Sequence, residues 1–257
     1  MDGHTNGHTD GRVALVTGGA HRLGRALVGR LASRGYRVAF TYHTAGTAAH
    51  ETEASVRAAG GRADAHRCDL GDPAQVAALA ATLLGAHGGL DALIHNASRF
   101  EQTPFPGADP GGWARVLGVS VTGPAALTGL LAPALRARGG SIVSILDLSA
   151  GEPWPEHQAH AAGKAGLLSL TRQWALELAP VVRANALTLG PILPGQERTE
   201  EARDRAAAGT LLGRWGHPDD VADGLEFLLD ARFVTGAEIH IDGGQRLAHL
   251  RTARFGA

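Results

Sequence analysis

Short apolar runs alternate with longer Ala-rich stretches along the chain. The apolar runs are rich in Val, Ile and Leu, and they predict buried strands at residues 13–17, 37–41, 63–68, 90–95, 141–146, 183–187 and 238–241. The stretches between them predict helices at residues 23–34, 48–59, 113–138, 158–178 and 218–229, and one more helix that begins at Asp72-Pro73.

Strict alternation of strands and helices is typical of a parallel sheet that helices cover on both faces. The predicted fold class is therefore α/β, as a single doubly wound Rossmann domain with a parallel sheet of about seven strands. We assign residues 1–10 to a flexible N-terminal tail and residues 11–257 to one domain, because no repeat or compositional break divides them. The least regular stretch, residues 190–209, is the best candidate for a mobile flap over a site.

Composition excludes several classes of function. The chain has 257 residues, and its 24 Lys and Arg nearly balance its 25 Asp and Glu, so no excess charge favours nucleic acid or an anionic membrane as partner. The single cysteine, Cys68, excludes a disulfide and a Cys-rich metal centre, and we expect no metal site. Residues 116–135 carry no charge, but glycines and prolines interrupt them, so we expect no membrane span and a cytoplasmic protein.

The turn between the first strand and the first helix, residues 17–24, reads TGGAHRLG. Glycines in such a turn let the backbone approach a pyrophosphate, whose charge the helix N-terminus attracts. A tight turn into a helix also needs glycine for its own sake. We expect Gly18, Arg22 and Leu23 to contact a dinucleotide, and the Arg22 guanidinium to reach a phosphate from a position that often holds Gly.

The end of the second strand points to the kind of dinucleotide. An NAD site usually places an Asp or Glu there for the ribose 2′-hydroxyl. This chain has Tyr42, His43 and Thr44 instead, and the next acidic residue is Glu51. An uncharged pocket near Arg22 suits a 2′-phosphate, so NADP(H) is favoured over NAD(H); the alternative is an ordinary polar strand end.

Polar residues also follow the third and fourth strands, as Asp69-Leu70 and as Asn96-Ala97-Ser98. Ligands of open parallel sheets sit at the carboxyl ends of the strands. We expect Asp69 to meet the adenine edge and Asn96 to fix the loop beside the ribose, although each is also a common turn residue.

A fourth constellation combines Asp147, after the fifth strand, with His157, His160 and Lys164 on the next helix. Their spacing places the last three side chains on one helical face. Lys164 is the only lysine among the 24 basic residues, all others being arginine. A compact ammonium group is therefore expected to be needed there, the alternative being one surviving surface lysine.

Together these motifs, from about residue 12 to residue 247, resemble the short-chain dehydrogenase/reductase superfamily. They are the TGxxxxxG turn, Asp69-Leu70, the NAS triplet at 96–98, SIVSIL at 141–146, the xxxK helix ending at Lys164 and the closing LLGRWGHPDD…IDGG. Within the superfamily the chain looks most like the pteridine reductase group, which shares Arg22, a Phe soon after NAS (Phe100) and Asp in place of the catalytic Ser (Asp147).

The resemblance implies an NADPH-dependent enzyme, usually a tetramer, that reduces C=N bonds of a pterin ring. It implies that Phe100 stacks on the substrate ring. It also implies a cofactor site formed by Gly18, Arg22, Leu23, Tyr42, His43, Thr44, Asp69, Leu70, Asn96, Ala97, Ser98, Lys164, Pro191 and Ile192.

Two positions depart from the superfamily. Its Tyr-x-x-x-Lys is here His160 to Lys164, and the Asn of its proton relay aligns with Ser120. Imidazole titrates near neutral pH without help, so the hypothesis is that Asp147 and His160 together deliver the proton while NADPH delivers the hydride. The predicted catalytic set is Asp147, His160, Lys164 and Ser120. An imine nitrogen is more basic than a carbonyl oxygen, which favours a pterin-like or cyclic imine C=N bond over a ketone.

Phe100, Trp154 and His157 are the predicted contacts to a small, planar substrate. Two other functions stay open: an NADP(H)-binding pseudoenzyme without turnover, and a non-redox acid–base enzyme, an isomerase or dehydratase acting on a natural-product intermediate. The apolar residues 116–135 and 167–170 favour burial against another subunit, in a homotetramer or homodimer.

Overall fold

The computed structural model describes residues 11–107, 109–194 and 199–250, so the predicted N-terminal tail, residues 1–10, lies outside the described residues. Seven parallel strands form one sheet in the order β3-β2-β1-β4-β5-β6-β7, which confirms the predicted doubly wound fold class. The strands are β1 Val13–Val16, β2 Arg37–Tyr42, β3 Arg62–Arg67, β4 Ala92–His95, β5 Ser141–Asp147, β6 Arg183–Leu189 and β7 Glu238–Ile241.

Eight α-helices connect or follow these strands in the described part of the chain. They are α1 Arg22–Ser33, α2 Gly46–Ala58, α3 Pro73–His87, α4 Pro110–Leu117, α5 Gly123–Arg138, α6 Gln158–Leu178, α7 Glu200–Ala208 and α8 Pro218–Asp230. Asp72 caps α3 as predicted, because its carboxylate accepts from the backbone N–H groups of Ala74 and Gln75.

The predicted helix over residues 113–138 is broken into two. A π-helical turn, Gly118–Thr122, separates α4 from α5. The break occurs where the chain passes close to the loop after β3: a Cβ on Gly123 would lie 2.3 Å from the carbonyl oxygen of Leu70. Such turns interrupt regular helices mainly at functional sites, and Ser120 lies in this one.

The prediction of an irregular flap over residues 190–209 is wrong in its second half, where α7 begins at Glu200. Thr199 caps this helix by accepting from the backbone N–H of Ala202 at 3.3 Å, and Glu200 and Glu201 place negative charge in its first turn. These start signals are readable in the sequence. Residues 195–198 lie outside the described part.

The strands are apolar on both sides because helices cover both faces of the sheet. Helices α3, α5 and α6 pack on one face, around residues such as Leu93 and Leu146. Helices α1, α2 and α8 pack on the other, around residues such as Phe40 and Ile94. Each of these four side chains is at most 1% exposed, and full burial of one such side chain contributes roughly 1.5–3 kcal/mol.

The segment Pro110–Arg138, which contains α4, the π-helical turn and α5, is long and apolar enough to cross a membrane by length and composition alone. It is the single such segment in the described ranges, with a mean hydropathy of 1.5, and 44% of its most apolar window is buried inside the protein. The core helix of a soluble protein passes the same test, so the segment is weak evidence for a membrane.

His95, at the end of β4, is the most deeply buried titratable base at the carboxyl edge of the sheet. Its Nε2 lies 2.8 Å from Thr128 Oγ1, its ring packs against Trp174 at 5.2 Å, and its Nδ1 has no partner in the described structure. Burial lowers the pKa of His95 from 6.5 to about 3, so the imidazole is neutral in the folded protein.

We expect the buried neutral His95 to make the protein sensitive to acid. Below pH 6.5 the imidazole of His95 is protonated in the unfolded chain, but in the folded chain it stays neutral down to about pH 3. The free energy of unfolding therefore falls as the pH falls between these two values. The loss approaches about 1.4 kcal/mol per pH unit. Urea unfolding at several pH values measures it: His95→Gln should have a flatter pH profile than wild type. His217→Gln replaces a 72% exposed imidazole, and an equal flattening in both variants would contradict the role of burial at His95.

Candidate active site

A cleft of about 340 Å³ opens at the carboxyl edge of the sheet, where the strand order reverses between β1 and β4. Open parallel sheets bind ligands at this topological position. Eleven of the predicted cofactor residues line it: Gly18, Arg22, Leu23, Tyr42, His43, Thr44, Asp69, Leu70, Asn96, Ala97 and Ser98. The structure therefore brings together residues that the sequence separates into four stretches.

The turn after β1 is shaped for close approach of a ligand to its backbone. Gly18 has φ +67°, and Arg22 has φ +53°, a left-handed conformation that favours glycine. Asn96 fixes this turn from β4, because its side-chain amide donates to the carbonyl oxygens of Thr17 at 2.9 Å and Gly18 at 3.0 Å. The predicted role of Asn96 in fixing the loop is thus visible as two hydrogen bonds.

Gly24 is the glycine on which the turn depends most. A Cβ there would lie 2.0 Å from the carbonyl oxygen of Gly18 and 2.9 Å from Asn96 Nδ2, so the backbone would have to move. We expect Gly24→Ala to weaken dinucleotide binding at least about tenfold, because the turn positions the helix N-terminus that faces the phosphates. Calorimetric titration with NADPH measures the effect.

Gly29 on the same helix is the matched control, since a Cβ there meets nothing within 4 Å. Gly29→Ala should bind the dinucleotide as wild type does and should stabilise α1 by roughly 0.5–1 kcal/mol. Equal affinity of the Gly24→Ala and Gly29→Ala variants would contradict the assigned role of the turn.

The Arg22 side chain contacts the segment after β6. Its Nη2 donates to the carbonyl oxygen of Leu193 at 3.1 Å, which links the first turn to the segment after β6. At the ends of β2 and β3, His43 Nε2 lies 3.5 Å from Asp69 Oδ2, and Asp69 Oδ1 accepts from the backbone N–H of Gly71.

Pro191 and Ile192, also predicted as cofactor residues, do not line the first cleft. They line a second cavity of about 470 Å³ beside β7, with residues such as Thr210 and Asp242. The reason is a backbone contact, since the N–H of Gly216 donates to the carbonyl oxygen of Pro191 at 2.9 Å. Ile192 packs under Gly216, where an added Cβ would lie 2.6 Å from Ile192 Cδ1.

Asp147, His160 and Lys164 meet next to the cleft. Asp147 ends β5, and α6 carries the two bases on the face that packs against it. His160 Nε2 lies 2.8 Å from Asp147 Oδ2, and Lys164 Nζ lies 3.9 Å from the same oxygen. Lys164 also donates to the carbonyl oxygen of Ile145 at 3.0 Å. His160 is 2% exposed and Lys164 is 5% exposed, so both side chains are almost completely buried.

Asp147 is a carboxylate across the neutral pH range. Burial opposes its ionisation, but the hydrogen bond from His160 and the charge of Lys164 outweigh burial and lower its pKa to about 2. Burial lowers the pKa of Lys164, and the charge of Asp147 opposes that shift. The other oxygen of Asp147 accepts from the backbone N–H and from the hydroxyl of Ser149.

The structure therefore changes the hypothesis that Asp147 shares in delivering the proton. An anion whose two oxygens already accept from Ser149 and His160 has no proton to give. Its role in the site is to orient and charge-balance the imidazole. Ser149 is a contributor that sequence reasoning missed, although the Asp-x-Ser spacing is a signal for a side chain that bonds to the following turn.

Both ring nitrogens of His160 face acceptors. Nε2 faces the Asp147 carboxylate, and Nδ1 lies 3.4 Å from the carbonyl oxygen of Arg99. Neither acceptor carries a proton, so the pattern is satisfied when both nitrogens of the imidazole carry hydrogen.

Ser120 lies beside this group but does not join it. Its Oγ is buried and has no hydrogen-bond partner among the described residues. Its nearest approach to α6 is at Gly163, where an added Cβ would lie 2.9 Å from Ser120 Cβ. A buried hydroxyl without a partner is rare in folded proteins, and this one can form a hydrogen bond with a ligand.

Two aromatic side chains cover His160, and a third packs against one of them. Phe100 meets it edge to face at 4.9 Å, and the Trp154 ring is nearly parallel to it at 6.1 Å. His157 stacks on Phe100 at 4.1 Å. The predicted substrate contacts Phe100, Trp154 and His157 are thus brought together, but His157 is the residue before α6 and not part of its face. Its Nδ1 is held 2.9 Å from the carbonyl oxygen of Pro155.

A dinucleotide fits the observed cleft. The turn after β1 accepts no Cβ at Gly24, and α1 begins at the cleft with no acidic residue in its first turn to repel a phosphate. The Lys164 ammonium has three N–H donors, and the described structure shows one of them bonded to a neutral acceptor, the carbonyl oxygen of Ile145. The other two donors suit ribose hydroxyls, beside the more distant Asp147 carboxylate. By contrast, no group of His, Cys, Asp or Glu in the described ranges could hold a metal ion.

Comparison with known proteins identifies the family. The family described as enoyl-(acyl carrier protein) reductase matches residues 18–246. A cis-4-hydroxycyclohexanecarboxylate dehydrogenase of Sinomonas cyclohexanicum is 34% identical over 243 residues, covering 91% of this chain and 96% of the relative. A 3-oxoacyl-(acyl-carrier-protein) reductase of Thermotoga maritima is 31% identical over 245 residues, covering 91% and 98%.

A solved structure shows the same architecture. It is a blue fluorescent protein from a metagenomic library, crystallised in complex with NADPH, with a TM-score of 0.83, 31% identity and coverage of 92% of this chain and 98% of the other. The chain belongs to the short-chain dehydrogenase/reductase superfamily, whose members bind a nicotinamide dinucleotide. It is an oxidoreductase of that type, similar to reductases and dehydrogenases of carbonyl and alcohol substrates.

Proposed function

We propose that this protein is an NADPH-dependent reductase of a C=N or C=O bond in a small, planar substrate, with His160 as the proton donor. The observation that carries the proposal is the pair of Asp147 with the buried His160, 2.8 Å apart, next to Lys164 at the edge of a cleft that fits a dinucleotide. An imidazole that a carboxylate orients at this place is a group that can pass a proton to a substrate.

The preference for NADPH rests on the end of β2. Tyr42, His43 and Thr44 line the cleft there, and none of them carries the carboxylate that would bind a ribose 2′-hydroxyl and repel a 2′-phosphate. The nearest acid, Asp69, is already turned toward His43 and Gly71. A solved relative holding NADPH is consistent with this preference.

The residues of the chain have separate tasks in this mechanism. The bound nicotinamide dinucleotide supplies the hydride. Asp147 holds Nε2 of His160 and balances its charge, while Nδ1 of His160 holds the proton that the substrate heteroatom receives. Lys164 fixes the ribose and adds positive charge beside the same carboxylate, which keeps Asp147 ionised.

The proposed substrate class rests on His160 as the acid and on the aromatic rings that pack against it. A C=N bond needs less help from an acid than a ketone, because its nitrogen is more basic, and this supports a cyclic imine or pterin-like ring. The rings of Phe100 and Trp154 beside His160 support a flat substrate. The relatives named for 3-oxoacyl and alcohol substrates support a C=O bond instead, so both bonds belong in the test.

A specific observation favours a second candidate function, binding of NADP(H) without turnover. Both nitrogens of His160 contact protein acceptors, and the residue is 2% exposed. A proton donor so covered must be uncovered before it acts. A third candidate, isomerisation or dehydration by the Asp147–His160 pair, needs the same uncovering and no hydride.

One set of assays separates the three functions. The purified protein is titrated with NADPH and NADH by calorimetry, and then incubated with NADPH and a panel of pterins, cyclic imines and ketones. Absorbance at 340 nm reports cofactor oxidation and chromatography reports substrate loss. We expect tighter binding of NADPH and cofactor oxidation with an imine. Binding without substrate loss supports the second function, and substrate loss at constant absorbance supports the third.

We further propose a cytoplasmic homo-oligomer, a tetramer or a dimer. Leu130 on α5 and Leu176 on α6 are 43% and 74% exposed, on helices whose other faces bury large apolar side chains. Large exposed apolar side chains on packed helices are typical of surfaces that meet another subunit. Light scattering that gives the mass of one chain would contradict the proposal.

A further inference from the structure

The segment Arg99–Glu101, in the loop after β4, is the cover that separates His160 from solvent. The carbonyl oxygen of Arg99 lies 3.4 Å from His160 Nδ1, and the Phe100 ring meets the imidazole edge to face. Phe100 itself is 60% exposed, so its outer side faces solvent while its edge contact shields His160. The N–H at Nδ1 cannot bond to Arg99 and to a substrate at the same time.

One end of this cover is fixed to α6 through Thr103. The backbone N–H of Thr103 donates to the carbonyl oxygen of Glu156 at 2.6 Å, and its Oγ1 accepts from the backbone N–H of Ala159 at 2.9 Å. Gln158 Nε2 donates to the carbonyl oxygen of Thr103 at 3.1 Å. These bonds hold the chain on the far side of the cover.

The other hold on the cover is the carboxylate of Glu101. Its Oε1 accepts from Arg99 Nε, and its Oε2 accepts from Arg115 Nε at 3.2 Å and Nη2 at 3.1 Å. Arg115 belongs to α4, so Glu101 ties the cover to a packed helix. The hydrogen bonds from Arg99 and then from Arg115 lower the pKa of Glu101, which keeps this bridge charged at neutral pH.

We propose that Glu101 is a positioning residue for the reaction: by bridging Arg99 and Arg115 it holds the Arg99 carbonyl and Phe100 against His160, and so determines how often Nδ1 is free to face a substrate. The inference rests on the proposed function, in which His160 supplies the proton. Arg99 lines the cofactor cleft, whereas Glu101 and Arg115 do not, so Glu101 acts on the imidazole through the position of the Arg99–Glu101 backbone.

The expected size of the effect follows from exposure. The side chains of Glu101, Arg99 and Arg115 are 24%, 39% and 49% exposed, so water and salt weaken their attraction. Loss of the bridge should raise the open fraction of the cover about fivefold. Because apparent substrate affinity scales with the fraction of competent protein, KM should fall by the same factor while kcat stays unchanged.

The test compares wild type with Glu101→Gln, which keeps the size of the side chain and removes its charge. Diethyl pyrocarbonate acylates accessible imidazoles, and peptide mass spectrometry gives the rate at His160. We expect this rate to rise about fivefold in the variant. His217, with a 72% exposed side chain, is the internal standard and should react equally in both proteins. In 1 M NaCl the His160 rate should rise in wild type and not in the variant.

Asp109→Asn is the matched control, because Asp109 touches Arg115 at 3.5 Å without touching Arg99. It should label His160 at the wild-type rate. If Glu101→Gln does not fold, Arg115→Gln removes one arm of the bridge and takes its place. An unchanged His160 rate in a folded variant, or an equal rise in Asp109→Asn, would overturn the proposal.

Kinetic measurements distinguish positioning from general destabilisation. A fall in KM at constant kcat supports the role of Glu101, whereas a fall in kcat together with a lower melting temperature contradicts it. Faster labelling of His160 in a protein that turns over no substrate would leave the positioning role standing and remove the proposed reductase function.

Discussion

Replacing His160 with glutamine is expected to lower kcat for NADPH-dependent reduction by about 10²–10⁴-fold, the usual contribution of a positioned proton donor. Glutamine keeps an N–H donor for Asp147 and a similar volume, so the 2.8 Å contact and the packing against Phe100 can persist. It has no proton that exchanges near neutral pH. Steady-state oxidation of NADPH with the best substrate of the panel measures the loss.

His157→Gln is the matched control for this variant. His157 contacts the same Phe100 ring but bonds to the carbonyl oxygen of Pro155, away from Asp147. Because His157 is a predicted substrate contact, KM should rise in this variant, but kcat should stay within a few-fold of wild type, since the variant loses packing and no proton donor. Equal turnover of wild type and His160→Gln would take His160 out of the mechanism.

Introducing the side chains that the superfamily resemblance implies for positions 147, 160 and 120 is expected to give the second-largest effect. The triple variant Asp147→Ser, His160→Tyr and Ser120→Asn should reduce ketones at least about 100-fold faster than wild type. A phenol at position 160 would lie next to the Lys164 ammonium, which favours the phenolate and lowers the pKa of the phenol. The unpaired hydroxyl of Ser120 marks the place where an amide could find partners.

The single variant His160→Tyr separates the contributions. With Asp147 still present, its negative charge offsets Lys164, keeps the phenol protonated and leaves little gain in ketone reduction. NADPH oxidation with the same ketone, measured for both variants after thermal unfolding has shown that they fold, decides the matter. A triple variant no faster than His160→Tyr would show that the charge of Asp147 does not control this position.

The sequence was sufficient to predict the sheet and the cofactor cleft because both depend on local patterns. Apolar strands with β-branched residues, the cap at Asp72 and the glycine turn each report their own structure. The strand order then follows from the doubly wound fold and brings Gly18, Asp69 and Asn96 to one edge of the sheet.

The predictions failed where contacts between distant segments decide the structure. The break at residues 118–122 comes from the close approach of Gly123 to Leu70, which no helical pattern contains. The hydrogen bond from Gly216 to Pro191, which lies beside a second cavity, is likewise absent from any local pattern.

The interactions around His160 show the same limit within the site. Spacing along α6 predicted the contact between His160, Lys164 and Asp147, because helical periodicity fixes which side chains share a face. The Arg99 carbonyl and the Glu101 bridge were not predictable, since backbone acceptors carry no sequence signal and ion pairs between a loop and a helix depend on the tertiary fold.

The burial of Lys164 has a practical consequence for chemistry on the intact protein. It carries the only lysine side-chain amine of the chain, and that amine is buried next to the cleft, with 5% of the residue exposed. Amine-directed reagents such as succinimidyl esters therefore find no side-chain amine on the outer surface. Slow acylation at Lys164 would therefore report unfolding or local opening around α6, and one mass shift on the intact protein would measure it.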